Sequence, residues 1–391
     1  MQCDAALDAT GSTLYQHSHQ HPGGMDMRIY RLTAALALGC VPIALGAGTM
    51  LETSAGPMLV TEMATGLDEP WAIGFLPDGD VLITERAGRL VLLSKGQRRE
   101  VGGLPDVYAE GQGGLLDIMV PMDFAASNEL WFTYAEPGFF GGATAVGKGI
   151  LSPDRTELTD FQNFIVGDKT RSGNHFGSRL VEAADGTVFV TFGDRGTGPD
   201  GLEAQDPTRI EGKVLHLTRD GIPATALPGY LAGVYSIGHR NPQGLTVDAD
   251  GALWLVEHGA QGGDELNLLR PGRNYGWPVI SYGEKYGGGQ IGIGNAKDGM
   301  EQPLHYWVPS IAPSGLMIYS GKAIADWKGD IFTGSLNSDF ISRLDPDQDY
   351  AEDRISAPET GRVRDVVEAP DGSIWFLSVS NGAAYRLAPA P

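Results

Sequence analysis

Trp71-Ala72-Ile73-Gly74-Phe75-Leu76-Pro77-Asp78-Gly79-Asp80-Val81-Leu82-Ile83-Thr84-Glu85 reads as two apolar runs hinged on a Pro-Asp-Gly turn. Asp-Gly between alternating runs signals a β-hairpin, because glycine takes positive φ without strain. The same unit recurs around Asp185-Gly186, Asp250-Gly251 and Asp371-Gly372, and more loosely around Asn128 and Lys328-Gly329-Asp330. Each hairpin is followed by further strand and a polar loop. Six units of four strands predict an all-β chain folded as a six-bladed β-propeller. A β-sandwich needs fewer strands, and a parallel α/β fold needs helices that the sequence does not show. The ring must close, and Met58-Leu59-Val60-Thr61-Glu62 is expected to complete the last blade beside Ala384-Tyr385-Arg386-Leu387. Trp71, Trp131, Trp254, Trp327 and Trp375 are read as core packing.

The composition agrees, with 56 Gly and 24 Pro among 391 residues and little helical periodicity. A formal charge of −21 repels phosphate backbones and anionic lipid, so no nucleic-acid partner is expected. Met27-Arg28-Ile29-Tyr30-Arg31, the apolar run from Leu32 to Leu45 and the small residues Gly46-Ala47-Gly48 have the order of a secretory signal peptide. The run is too short to span a bilayer, so no transmembrane segment is expected in the mature chain. Residues 1–55 are therefore read as an over-extended gene start, with Met27 the natural start, plus a signal peptide. Residues 56–391 are read as the propeller. The mature protein is expected to begin between Ala44 and Ala55 and to be periplasmic or secreted. Cys3 and Cys40 both fall in the leader, which leaves no disulfide in the mature chain. Ala37-Leu38-Gly39-Cys40 is a poor lipoprotein box, and lipidation stays open.

Polar chemistry gathers between Tyr235 and Pro278. Gly238-His239-Arg240-Asn241-Pro242, then Gly262-Gly263-Asp264-Glu265-Leu266-Asn267 and Asn274-Tyr275-Gly276-Trp277-Pro278, crowd a cation, imidazole, amides and carboxylates into loops between short apolar strands. Such loops carry sites more often than they merely turn the chain. His175 lies in Ser172-Gly173-Asn174-His175-Phe176-Gly177, and the same hairpin returns at Phe192-Gly193-Asp194-Arg195. Antiparallel pairing is expected to set Asp194 beside His175. A carboxylate on one imidazole nitrogen leaves the other free as a base. Arg362 and Arg364 alternate, which predicts both on one face of a strand, where two guanidiniums suit carboxylates.

These segments, spread from about Leu67 to Leu387, resemble the soluble aldose sugar dehydrogenases that use pyrroloquinoline quinone (PQQ), in the glucose/sorbosone dehydrogenase family. The resemblance implies oxidation of an aldose at the anomeric carbon to the lactone, with hydride passing to the quinone. It implies an aldose substrate and an external electron acceptor as partners. By the same resemblance His175 is the general base, Asp194 orients it, and Arg240 lies at the reactive quinone carbonyl. Gln112, Asn241, Arg362 and Arg364 match cofactor-contacting positions, alongside His175 and Arg240. Carbonyls of Gly259 and Ala260 match those that hold a cofactor-bound calcium, and Glu265 and Tyr275 match positions associated with a second, structural calcium. Family members usually carry Pro where this chain has Ala260. They carry a cofactor-binding Lys where Gly334-Ser335-Leu336-Asn337-Ser338 places Asn337. A charge-assisted bond contributes roughly 1.5–3 kcal/mol against about 1 for a neutral one, so Asn337 implies quinone affinity lower by about tenfold.

Two other readings compete. A calcium-dependent propeller hydrolase such as a lactonase needs several carboxylates and amides converging on an axial ion, whereas this sequence offers His, Arg and Gln. A non-catalytic propeller derived from the dehydrogenases would carry Asn337 as a first loss. The sugar is not legible, and substrate contacts are expected from the Gly-rich stretches Phe139 to Lys148 and Tyr282 to Asn295.

Overall fold

The computed structural model describes residues 41–42, 48–198 and 201–391. Six sheets follow one another along the chain, antiparallel except that Arg273–Asn274 pairs parallel with Val234–Ile237 at the edge of the third. Their first strands are Pro70–Phe75, Leu115–Met119, Gly177–Glu182, Pro242–Val247, Pro313–Ile318 and Val363–Glu368. These strands neighbour each other in cyclic order, the last returning to the first, so they line the axis of a six-bladed β-propeller. The turn that revealed the repeat sits between the first and second strand of each blade. Gly79 takes φ 92°, and in a looser copy Asn128 takes φ 53°, the left-handed conformation that its short polar side chain tolerates.

Each blade is buried on both faces, and among the described residues the apolar core forms one cluster for each pair of adjacent blades, with a small seventh of Ala204, Ala260, Trp277 and Ile291 among the loops. Trp71, Leu82 and Leu92 meet Phe132 and Tyr134 between the first two, and Trp131 and Val146 meet Val190 and Leu215 at the next. Between the fifth and sixth, Trp327 and Phe332 pack on Phe376 and Tyr385. Full burial of one such side chain contributes about 1.5–3 kcal/mol, so repeated interfaces hold the ring without disulfides. Trp131, Trp327 and Trp375 are buried as expected, while Trp254 is half-exposed and donates to Asp248 at 2.8 Å.

Closure is by the expected strand. Val60 pairs with Leu387 and Leu59 with Ala388, so an N-terminal strand, Gly56–Ala64, sits inside the sixth blade. Thr49–Thr53 adds a further strand by pairing back on Gly56–Ala64, so the ordered sheet begins ahead of residue 56, where the sequence reading starts the propeller. The basic region and most of the apolar run of the leader lie outside the described residues. Among the described residues, no helix is long and apolar enough to cross a membrane.

The topology brings one set of loops to one end of the axis: those entering the first strands and those leaving the second strands. Gln112, His175, Arg240 and Arg362 are in the first set, and Asp194, Gly259 and Asn337 in the second.

Candidate active site

At this end of the axis lies a cavity of ≈ 780 Å³, a size typical of small-molecule sites. Gln112, Asn241, Gly259, Ala260, Asn337, Arg362 and Arg364 all line it. His175, Asp194 and Arg240 stand just outside that lining and reach it through neighbours. Glu265 and Tyr275 do not face it. They border a second, very small void behind Gly259, shared with Arg240 and Glu257.

His175 begins at the strand pair that was expected to deliver Asp194. Gly177 pairs with Phe192, and the two loops above them meet. The His175 Nδ1 and Asp194 Oδ1 are 2.6 Å apart. Asp194 is fully buried, and its other oxygen accepts from the Trp277 indole at 2.8 Å. The fully hydrogen-bonded carboxylate fixes the imidazole with Nδ1 protonated and Nε2 as the basic nitrogen. His175 itself has φ 51°, a strained conformation for its type. Gln112 supports it, since the Gln112 Oε1 accepts the His175 backbone N–H at 2.8 Å. Burial pushes the His175 pKa below its usual 6.5, with Asp194 opposing that shift and the Arg240 charge adding to it.

Arg240 is buried, its side chain near Trp277, 5.2 Å from guanidinium carbon to ring centre. Its backbone N–H donates to Glu257 at 2.7 Å, and its guanidinium donates to the Gly259 carbonyl and to the His258 carbonyl at 3.3 Å. The Arg240 Nε is buried without a partner among the described residues. The Asn241 side chain faces inward as well as lining the cavity, and its oxygen accepts the Gly177 N–H at 3.2 Å.

Arg362 and Arg364 reach one cavity by a different route from simple alternation. The strand starts at Val363, and Arg362 precedes it in a left-handed turn, φ 44°, with its guanidinium donating to the Leu336 carbonyl at 2.8 Å. Arg364 is wedged over Trp71 at 4.8 Å and donates to Gln243 at 2.8 Å. Arg364 forms no ion pair among the described residues. Burial, with the like charges of Arg179 and Arg362, pushes its pKa down to about 9.

Below it lies a cluster that sequence reading missed. Arg179 donates to Asp117 at 3.2 Å and contacts Asp365 at 3.0 Å, and its guanidinium lies 4.3 Å from the Trp71 ring centre. Trp71 is thus a platform for two guanidiniums rather than core packing alone, each contact contributing about 0.5–2 kcal/mol. Carboxylates do therefore reach the axis, against the expectation of His, Arg and Gln only. Both are shared with one guanidinium, and burial pushes the Asp117 pKa up to about 6. His258 was also missed: its Nε2 donates to the Pro313 carbonyl at 2.8 Å, and burial pushes its pKa down to about 3, leaving neutral Nδ1 as an acceptor. Only the Asp-Gly hairpin period could have signalled these residues, by placing each on an inner strand or just beyond a second strand.

The chain's carbonyl and carboxylate oxygens suit hard cations. Gly259 and Ala260 line the cavity, and the Gly259 carbonyl accepts from Arg240. At the small void, Glu265 and Glu257 oppose each other across paired strands, and the Asn267 Oδ1 is buried without a partner among the described residues. Burial and the Glu257 charge push the Glu265 pKa up to about 8, which a bound cation would reverse. Among the described residues no three acidic, His or Cys side chains converge, so any cation here relies on carbonyls for much of its shell. Of the stretches expected to touch substrate, Gly141 onward is a regular strand, whereas Tyr282, Glu284 and Tyr286 do line the cavity.

A propeller with an oriented imidazole and cationic cavity walls at one axial end has the build of an enzyme acting on a small molecule. The chain belongs to the glucose/sorbosone dehydrogenase family, whose model matches residues 67–386. Aldose sugar dehydrogenase YliI of Escherichia coli (strain K12) is 40% identical over 339 residues, covering 83% of this chain and 91% of that protein. The apo-form crystal structure of the soluble aldose sugar dehydrogenase from Escherichia coli has a TM-score of 0.79 at 38% identity, covering 85% of this chain and 99% of that one. A PQQ-bound aldose sugar dehydrogenase from Streptomyces coelicolor has a TM-score of 0.71 at 26% identity, covering 88% and 99%. Family and fold make this chain an oxidoreductase of the sugar dehydrogenase class.

Proposed function

We propose that this protein oxidises an aldose at its anomeric carbon to the lactone, using PQQ and calcium. The observation that carries the reading is Arg364: a half-buried guanidinium stacked on Trp71, without an ion pair among the described residues, lining one cavity with Arg362. A partly desolvated, unpaired cation is held at a free-energy cost that an anionic ligand offsets. A tricarboxylate does so, and bidentate guanidinium–carboxylate bonds suit its geometry.

His175 Nε2 takes the proton of the anomeric hydroxyl as the C1–H bond breaks and the C1=O bond forms. Its lowered pKa keeps the ring neutral and ready as a base at pH 7. Asp194 holds Nδ1 and stabilises the imidazolium that results. When bound, the quinone supplies a two-electron acceptor for the C1 hydride, and calcium supplies Lewis-acid polarisation. Arg240 stabilises negative charge developing beside Gly259. Arg362 and Arg364 hold carboxylates, Gln112 and Asn241 keep the His175 loop in register, and Gly259 and Ala260 offer carbonyls to the ion. Glu265 and Tyr275 border the place for a second ion. An external acceptor then removes the electrons. The order of the leader residues supports export to the periplasm or beyond.

The hydrolase reading loses force because Asp117 and Asp365 are held by Arg179 rather than open to an ion. The test is titration of purified protein with PQQ in saturating calcium, for wild type and Arg364→Met. Saturable binding weakened by at least about tenfold in the variant supports the reading, since a bond to a charged group contributes roughly 1.5–3 kcal/mol. No binding by wild type would reject it.

A further inference from the structure

Asp264 follows the Gly-rich turn Gly259-Ala260-Gln261-Gly262-Gly263 and is fully buried without an ion pair among the described residues. Its two oxygens accept instead from Gly259 N–H at 2.8 Å, Ser310 Oγ at 2.7 Å, Ile311 N–H at 2.8 Å and Ala312 N–H at 2.9 Å. The donors come from loops of the fourth and fifth blades, on two sides of the cavity.

In a trans peptide the N–H and C=O point in opposite directions. Each N–H anchored on Asp264 therefore aims a carbonyl away from it. The peptide ending at Gly259 aims the His258 carbonyl at Arg240, 3.3 Å away. The peptide ending at Ile311 aims the Ser310 carbonyl at the Asn337 Nδ2, 3.2 Å away. The peptide ending at Ala312 aims the Ile311 carbonyl at the Asn337 N–H, 3.2 Å away, and at the Ser335 hydroxyl, 2.8 Å away. Gly259 has no room to adjust, because a Cβ there would lie 2.2 Å from the Gly262 carbonyl oxygen. Ala312 holds φ 51°, a conformation that needs outside support.

We propose that Asp264 is a positioning residue for the quinone-and-calcium site. One buried carboxylate sets the Gly259–Ala260 turn on one side of the cavity, with Arg240 held behind it, and Asn337 on the other side. This rests on the functional reading above. An amide at this position cannot replace it, since its NH2 would face N–H donors.

The test measures PQQ affinity in saturating calcium, calcium affinity by calorimetry, and kcat at saturating PQQ, well below the melting temperature. Asp264→Asn is expected to weaken PQQ and calcium by at least about tenfold, and to lower kcat at saturating PQQ because Arg240 shifts with the turn, while circular dichroism shows a folded propeller. Ser310→Ala removes one donor and leaves the backbone intact, and is expected to weaken both ligands by about threefold. It decides the matter if Asp264→Asn does not fold. A lower melting temperature with unchanged affinities in the folded variants would overturn the positioning role. Failure of wild type to bind PQQ would instead reject the functional reading on which it rests.

Discussion

Asn337→Lys puts back a cation at the cavity wall where the resembling enzymes carry one. Asn337 is exposed and lines the cavity, and among the described residues its Nδ2 is held only by the Ser310 carbonyl at 3.2 Å. Losing that neutral bond costs about 1 kcal/mol at most, because a lysine chain can reach past it to open space. The new ammonium joins Arg362 and Arg364 around one cavity. In the empty protein three like charges repel, so the melting temperature should fall slightly. A tricarboxylate relieves the repulsion, and a charge-assisted bond replaces a neutral one, a difference of about 0.5–2 kcal/mol. Tenfold tighter PQQ binding, about 1.4 kcal/mol, is the expected centre of that range. Calorimetric titration of both proteins with PQQ in saturating calcium measures it. Raising the salt should shrink the gain, since part of it is screened Coulomb attraction. Equal affinities at low salt would show that residue 337 does not face the carboxylates, and the argument from the missing lysine would fail.

His175→Ala should lower kcat by about 10² to 10⁴ while PQQ affinity, measured by titration, changes little, because the arginines hold the carboxylates. The lowered His175 pKa has a definite sign: the ring stays neutral down to below its usual 6.5, so kcat should be flat from pH 8 to 6.5 and decline only below that, as a pH–rate profile will show. Glu265 has the opposite signature. Its folded-state pKa is raised from 4.5 to about 8, so the folded chain binds the proton more tightly, and calcium-free protein should lose stability as pH rises through that window. Calcium should restore the loss, and thermal melts at pH 5 and pH 8.5, with and without the ion, will reveal it. Trp71→Leu removes the surface under Arg179 and Arg364, and should weaken PQQ by several-fold in the same titration while the propeller remains folded.

The parts of this molecule legible in its sequence are those set by near neighbours. Asp78-Gly79 or Asp371-Gly372 marks a hairpin from a few residues of chain, and the count of such turns yields the number of blades. His175 and Asp194 were legible because one hairpin separates them. Arg362 shows the limit, since both arginines reach the cavity but the first does so from a left-handed turn that alternation does not foresee. Arg179, Asp117, Asp365 and Trp71 come from the inner strands of four blades, and nothing local in the chain indicates that they meet at the axis. Asp264 shows in the sequence only as one carboxylate at the end of a Gly-rich loop. Its burial and its hold on the fifth-blade loop depend on where the ring places Ser310 and Ala312.

The central claim is PQQ-dependent oxidation of an aldose. Purified protein reconstituted with PQQ and calcium, given a redox dye and a panel of aldoses, tests it most directly. The account predicts dye reduction that requires PQQ, calcium and sugar together, forms the lactone, and is lost in His175→Ala. Saturable PQQ binding with no dye reduction for any aldose would contradict it and favour a propeller that binds the cofactor without this chemistry.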